Sequence, residues 1–373
     1  MKILLTGGGT AGHVNPALAI AGYVKEKHPD AEIRYMGAEG GIEEKLVTRA
    51  GYPLDTFPLA GLSRKLTPAG IRQNISALSK ANKASKKARD IMEEFKPDLV
   101  VGTGGYASFP AIRAAASKKI PCMMLEVNAT PGVVVKKMAS RVDCVMTSFD
   151  ETAKLLPHAK KIVMTGSPVR GEILKARPNG LKARLFGEED KPLVVSFWGS
   201  VGALYMNRKM CRYLQLCAEE NKFNVVHAAG AKNYQWMPEE IEKLGVKLEN
   251  CRNIDLREYI FDMEQVLCEA DLVICRAGAS TMAELCAAGK PAIIVPSPYV
   301  ADNHQEKNAR VLEKHGAAVV VTEAEATGDS IYQTVCGLLD QPEKLREMGA
   351  NAKKLGKTDA LEQIYQCMMH FIN

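Results

Sequence analysis

Three observations predict an α/β fold made of two parallel-sheet domains. Short apolar runs alternate with helical segments along the whole chain, as expected of strands covered on both faces by helices. Glycine-rich turns follow several of those runs directly. The 373 residues also exceed what one ordinary core serves, so two domains are expected. The rhythm restarts after Thr165-Gly166-Ser167-Pro168-Val169-Arg170, which divides a first domain, 1–164, from a second, 165–357.

Taken in order, residues 2–6 read as a buried strand, 15–28 as a helix, 32–36 as a strand, 42–50 as a helix and 54–58 as a strand. Apolar residues at helical spacing predict a long helix over 68–95, which Lys96-Pro97 ends. A strand at 99–101, a glycine turn and another helix follow, then strands at 122–126 and 144–147. In the second half, strands are expected at 193–197, 224–229, 272–274, 292–295 and 317–321. Helices are expected at 204–221, after Gly278 and at the C-terminus.

At 46% hydrophobic and 25% charged residues the composition is that of a soluble globular protein. No apolar run approaches the roughly 20 residues that span a bilayer, and the N-terminus leads straight into an expected strand. The ten cysteines form no CxxC pair and many lie in apolar segments, so reduced, buried thiols are expected rather than disulfides or zinc ligands. Charge is uneven. Residues 1–165 hold 24 Lys/Arg against 15 Asp/Glu, a net +9, and residues 166–373 hold 25 against 28, a net −3. A basic first half suits a polyanionic surface, nucleic acid or anionic lipid, or simply a solvated helix flank at 80–89.

The chemistry gathers at the glycine turns. Those at 7–12, 102–105 and 199–202 each follow an expected strand, where open α/β sheets bind ligands. Gly7, Gly9 and Gly12 satisfy G-x-G-x-x-G, but the second strand ends Tyr35-Met36-Gly37, without the acid that a dinucleotide ribose requires. His13 opens the helix after the first turn, where the helix dipole favours a neutral imidazole and hence a general base; a capping or filling role is the alternative.

The stretch 275–296 reads as strand, turn at Gly278, helix and strand. The helix would offer unpaired amides around Gly278, Ala279 and Ser280 to a phosphate, and Glu284 could accept hydrogen bonds from sugar hydroxyls. A plain crossover capped by Ser280 is the alternative. No D-x-D pair is present, so a metal-held diphosphate is not expected, and backbone amides with Arg170 would offset leaving-group charge. Arg170 in a surface salt bridge is the competing reading.

Together these motifs resemble the MurG family, N-acetylglucosaminyltransferases that complete the lipid-linked disaccharide of peptidoglycan. The resemblance runs through residues 6–18, 61–65, 102–110 and 126–129 on the acceptor side. On the donor side it runs through 165–170, 199–203, 276–289 and 302–305. It implies a GT-B glycosyltransferase fold, two Rossmann-like domains facing a cleft, with a terminal helix, 358–373, completing the first domain. By motif position, Gly199, Ser200, Gly202, Gly278, Ala279, Ser280 and Arg170 would hold the diphosphate region of UDP-N-acetylglucosamine. Ile260 would meet the uracil, Glu284 the ribose, and His304 and Gln305 the sugar.

The resemblance also implies that the acceptor pyrophosphate lies near Gly9, Thr10, Ala11, Gly12, Gly104, Gly105 and Tyr106. His13 would be the base, and Asn128 and Glu126 would position the acceptor. No tightly bound cofactor and no metal are implied. The implied partners are UDP-N-acetylglucosamine, undecaprenyl-linked lipid I, an anionic membrane surface and other wall-synthesis proteins, with no nucleic acid, at the cytoplasmic face of the plasma membrane. Membrane contact would come from 62–75, where Leu62, Leu66 and Ile71 neighbour Arg64, Lys65 and Arg72; an amphipathic helix docked on its own domain is the alternative.

The sequence departs from the family pattern at Trp198, where a glycine is usual, at Leu125 and Val127, where polar residues are usual, and at Phe109, where a small residue is common. Other readings are a transferase with a different lipid acceptor, a non-catalytic nucleotide-sugar-binding relative and a UDP-N-acetylglucosamine 2-epimerase.

Overall fold

A computed structural model describes residues 1–59, 67–187, 190–199 and 202–372, and all their side chains except those of 68–78 and 301. The motif 61–65, the membrane-contact residues of 62–75 and Ser200 therefore lie outside the described residues or side chains. The chain forms two compact units, Met1–Pro168 with Asp359–Asn373, and Val169–Thr358.

The first unit carries strands β1 (Lys2–Thr6), β2 (Glu32–Ala38), β3 (Leu54–Phe57), β4 (Leu99–Gly102), β5 (Cys122–Glu126), β6 (Cys144–Thr147) and β7 (Ile162–Met164). They pair in the order β3-β2-β1-β4-β5-β6-β7, all parallel. The second unit carries β8 (Leu193–Phe197), β9 (Asn224–Ala228), β10 (Ile254–Arg257), β11 (Leu272–Cys275), β12 (Ala292–Ile294) and β13 (Ala318–Val320). Their order is β10-β9-β8-β11-β12-β13, again all parallel. The α/β, parallel-sheet expectation is met in both units.

This order fixes where ligands can sit. In each sheet the first strand has as neighbours the second and the fourth, so the connections from β1 and β4, and from β8 and β11, leave in opposite directions. A crevice opens at the carboxyl ends of those strands. The glycine turns at 7–12 and 102–105 follow β1 and β4, and those at 199–202 and 276–278 follow β8 and β11. Each unit thus sets two such turns side by side.

The first helix runs Ala11–Lys27, four residues earlier than its pattern suggests. Pro16 lies inside the helix, where its missing N–H leaves one backbone bond unmade. His13 therefore sits in the first turn. The C-terminal helix, Ala360–Met369, packs on this first helix. Tyr23 donates to Glu362, His28 Nε2 lies 2.7 Å from the Tyr365 hydroxyl, and the Tyr23 and Tyr365 rings meet edge-on at 5.9 Å.

A buried polar thread crosses the second sheet. Asn207 Nδ2 donates to the carbonyl of Ala229 at 2.7 Å, so its Oδ1 accepts from His227 Nε2–H at 3.1 Å. That tautomer leaves His227 Nδ1 to accept from the Ser196 hydroxyl at 2.7 Å. The thread ties the strand before the 199–202 turn and the helix after it, Leu204–Glu220, to β9. Complete burial drives the His227 pKa down to about 3.

The sign of the pH effect follows. Above pH 6.5 neither folded nor unfolded chain protonates this histidine, and as pH falls toward 3 the unfolded chain does so first. Stability is then lost at up to about 1.4 kcal/mol per pH unit. In urea unfolding, the wild type is expected to lose about 2 kcal/mol more than His227→Gln between pH 7 and 5. Equal losses would show that His227 is not held neutral.

Candidate active site

In the first unit the paired turns interlock through backbone. The Gly8 amide donates to the Gly104 carbonyl at 3.3 Å, and the Tyr35 hydroxyl donates to the Gly7 carbonyl at 2.8 Å. A β-carbon on Gly105, whose φ is +75°, would stand 2.0 Å from the Gly8 carbonyl oxygen. The turn ends at Thr10, an extended N-cap, and the amides of Thr10, Ala11 and Gly12 find no acceptor among the described residues. They leave the positive end of a 17-residue helix open to an anion.

His13 is half-buried there, its Nδ1 3.1 Å from Thr10 Oγ1. The tautomer that donates Nδ1–H to Thr10 leaves Nε2 as the basic nitrogen. The ring lies against Gly104, where a β-carbon would be 2.8 Å from Cδ2, and the Tyr106 ring covers Gly9. The structure therefore gathers Gly9, Thr10, Ala11, Gly12, His13, Gly104, Gly105 and Tyr106 in one place. One expectation changes in detail. The Gly9 amide is not open to a ligand, because it faces both carboxylate oxygens of Glu43 at 3.3 Å.

Glu126 ends β5 and is buried. Its carboxylate accepts from the Asn128 amide and side-chain Nδ2, both at 3.0 Å, and from the Gly132 amide at 2.7 Å. Burial raises its pKa, and those bonds pull it back. The Thr152 hydroxyl adds a bond to the Asn128 carbonyl at 2.9 Å. Glu126 thus shapes the 127–132 turn and orients Asn128; its oxygens are occupied by its own loop. Leu125 and Val127 are both buried, so the apolar departures face the interior.

In the second unit the helix Ala279–Ala288 starts at Gly278 with no side-chain cap, and Ser280 lies inside its first turn. The amides of Ala279, Ser280 and Thr281 have no acceptor among the described residues. One turn on, Glu284 Oε1 accepts from Arg170 Nε at 2.9 Å. Arg170 does form a salt bridge, but its partner is another predicted site residue. Burial raises the Glu284 pKa, against the lowering effect of the guanidinium.

A cavity of about 370 Å³ is lined by Gly199, Gly202, Arg276, Gly278, Ser297 and Gln305, among others. Gln305 Oε1 accepts the Ser297 amide at 2.8 Å. His304 is the first residue of the neighbouring helix, His304–Lys314. Trp198 turns inward, 5% exposed, with the Arg276 guanidinium 5.6 Å from its ring centre. Its ring joins the core and also lines that cavity. Arg276 in turn donates to Glu323 and, at 3.0 Å, to the Val295 carbonyl.

The Ile260 side chain is 2% exposed and packs in the core, which leaves its backbone for any ligand contact. The same segment exposes Tyr259 and Phe261, at 44% and 84%, with ring centres 4.9 Å apart. Neither ring was singled out in the sequence, nor were Glu43, His227 or the Arg276–Glu323 pair. The glycines flanking Glu43, at 37, 40 and 41, are the signal that could have found it. Among the described residues no group of three or more His, Cys, Asp or Glu side chains is arranged to hold a metal ion.

Comparison with known proteins bears on this arrangement directly. The glycosyltransferase family 28 N-terminal domain matches residues 3–147, and the family's C-terminal domain matches residues 193–364. The chain belongs to glycosyltransferase family 28.

Within it, the chain belongs to the MurG family. It is 40% identical over 366 residues to the UDP-N-acetylglucosamine–N-acetylmuramyl-(pentapeptide) pyrophosphoryl-undecaprenol N-acetylglucosamine transferase of Acetivibrio thermocellus, covering 98% of this chain and 97% of that one. The crystal structure of Acinetobacter baumannii MurG superposes with a TM-score of 0.78 at 26% identity, covering 99% of both chains. The family resemblance and the GT-B fold read from the motifs are thereby borne out. A UDP-GlcNAc 2-epimerase from Neisseria meningitidis, bound to UDP-GlcNAc, reaches a TM-score of 0.66 over 99% of this chain and 100% of its own, at 15% identity. That likeness is one of fold alone.

The Gly105→Ala variant places a methyl group against the Gly8 carbonyl in a backbone conformation that L residues avoid. It is expected to cost the first unit about 1–3 kcal/mol, read as a lowered unfolding midpoint. Gly22→Ala, at a helix position with open space around the added carbon, should leave the midpoint unchanged or raise it. Equal effects of the two would show that the turns do not interlock.

Proposed function

We propose that this chain is an inverting glycosyltransferase that moves N-acetylglucosamine from UDP-N-acetylglucosamine to the C4 hydroxyl of the muramyl sugar of lipid I, making lipid II. The observation that carries the reading is the 40% identity, over 98% of the chain, to a transferase named for that reaction. The geometry supplies the parts: open helix amides beside a histidine in the first unit, and open helix amides beside an Arg–Glu pair in the second.

The muramyl hydroxyl oxygen attacks the anomeric carbon from the face opposite UDP. As that C–O bond forms, the bond from the anomeric carbon to the phosphate oxygen breaks, and its electron pair leaves with UDP. His13 Nε2 takes the hydroxyl proton. One displacement turns the α-linked donor into a β-1,4-linked product. The amides of Ala279 and Ser280, with Gly199, Gly202 and Arg170, meet the charge growing on the diphosphate. Glu284 accepts from the ribose hydroxyls, and His304 and Gln305 contact the sugar. Ile260 meets the uracil through its backbone, and the exposed Tyr259 and Phe261 rings beside it give the base a stacking surface.

The acceptor pyrophosphate belongs at the amides of Thr10, Ala11 and Gly12, beside Gly104, Gly105 and Tyr106. Asn128, held by Glu126, orients the acceptor. A lipid-linked acceptor and the net +9 of residues 1–165 support peripheral contact with an anionic membrane at its cytoplasmic face, alongside other wall-synthesis proteins. No described helix is long and apolar enough to cross a membrane.

The test is transfer of labelled N-acetylglucosamine to a short-chain lipid I analogue. Wild type should make the disaccharide lipid, and His13→Ala should lose on the order of a hundredfold or more in turnover. Undiminished turnover removes His13 from the role. Donor consumed with no acceptor present would instead indicate epimerisation, and UDP bound without turnover a binding protein. Glu284→Gln should raise the KM for UDP-N-acetylglucosamine on the order of tenfold, through a weakened contact to the ribose and a loosened Arg170; an unchanged KM would take Glu284 out of the donor site.

A further inference from the structure

We infer that Glu43 is the positioning residue that holds the first glycine turn in its anion-binding, base-presenting shape; the functional half of this inference rests on the reading above. Glu43 is the second residue of the helix Ile42–Arg49, and its side chain is completely buried. No ion pair is formed by it among the described residues. What it holds instead is backbone. Its Oε1 accepts from the Ala38 amide at 3.1 Å, and both oxygens face the Gly9 amide at 3.3 Å.

Three glycines make the space. A β-carbon would stand 1.9 Å from Oε1 at Gly8, 2.5 Å from Oε2 at Gly41 and 2.5 Å from Cγ at Gly37. A buried carboxylate without a cation is costly, and an apolar residue would fill the same place without that cost. What an apolar residue cannot do is take the Gly9 N–H.

That bond has consequences at the surface. With Gly8 bound to Gly104 and Gly9 bound to Glu43, the chain passes through a left-handed Gly9, φ +83°, into Thr10. The next amides, Thr10 to Gly12, then have no acceptor among the described residues, and Thr10 Oγ1 meets His13 Nδ1. Glu43 consumes one amide of the turn and thereby fixes the direction of the others. It touches neither substrate nor base; it acts through the turn that carries both.

The test compares wild type, Glu43→Ala and Glu43→Gln, varying donor and acceptor separately. Glu43→Ala should raise the KM for the lipid I analogue on the order of tenfold and lower kcat, with the KM for UDP-N-acetylglucosamine unchanged within about twofold. Glu43→Gln should fall between, because its carbonyl oxygen can accept both N–H groups from the Oε1 position. A loss of active enzyme with the acceptor KM intact, or equal shifts in both KM values, would overturn the inference.

Amide hydrogen exchange, which requires no substrate, separates this result from failure of the transfer reading. Exchange at the bonded amides of the turn, Gly9 and His13, should quicken in the variants while β1 and β4 keep their protection. If the wild type transfers nothing yet this local quickening appears, the turn-holding role stands and the acceptor assignment falls. Unchanged exchange at Gly9 and His13 removes the role. Should Glu43→Ala not fold, Glu43→Gln alone gives the same readings.

Discussion

The hydrogen bond from the Gly8 amide to the Gly104 carbonyl is the contact on which the first unit's chemistry depends. It joins the turns after β1 and β4, neighbouring strands whose connections diverge, and so converts a gap in the strand order into one continuous backbone surface. The joint is possible only without side chains, since a β-carbon at Gly105 would occupy the space of the Gly8 carbonyl. His13 then lies over Gly104 because there is no atom to keep it off. The imidazole and the open amides share a site because two strands share a ladder.

Carboxyl groups repeat one theme around these turns. Glu43 holds Gly9 and Ala38, Glu126 holds Asn128 and Gly132, and the half-buried Glu284 holds Arg170. In the first two the partners are backbone amides, joined at Glu126 by the Asn128 side chain, so the carboxyl fixes a loop. In the third the partner is a guanidinium at the edge of the site, and a ligand hydroxyl can join the pair without breaking it. A carboxylate's chemistry here is set by what already occupies its oxygens.

Much of this was legible in the sequence, because the signals are local. Strands at 2–6, 122–126, 144–147 and 193–197 coincide with β1, β5, β6 and β8, and the helix over 68–95 lies where its spacing put it. The glycine turns were legible as turns. Less legible was anything fixed by distant partners. The three-residue β7 and the polar β10, Ile254-Asp255-Leu256-Arg257, are strands because a neighbour pairs with them, not because their own pattern is strong. The Ile260 side chain is buried while the rings on either side are exposed, a contrast its own pattern does not carry. Trp198 could not be oriented until Arg276 and the core were in place. Glu43 and His227 are polar residues with no motif, whose roles come from partners 34 and 20 to 31 residues away.

Direct displacement by an activated hydroxyl has one consequence that a double displacement through a covalent intermediate does not share: the configuration at the anomeric carbon inverts. The most direct measurement is the proton NMR coupling of the new N-acetylglucosamine anomeric proton in the product that the full-length protein makes from UDP-N-acetylglucosamine and a lipid I analogue. A large, trans-diaxial coupling, reporting a β-linkage, is the predicted result. A small coupling, reporting an α-linkage, would contradict a single displacement with His13 as its base.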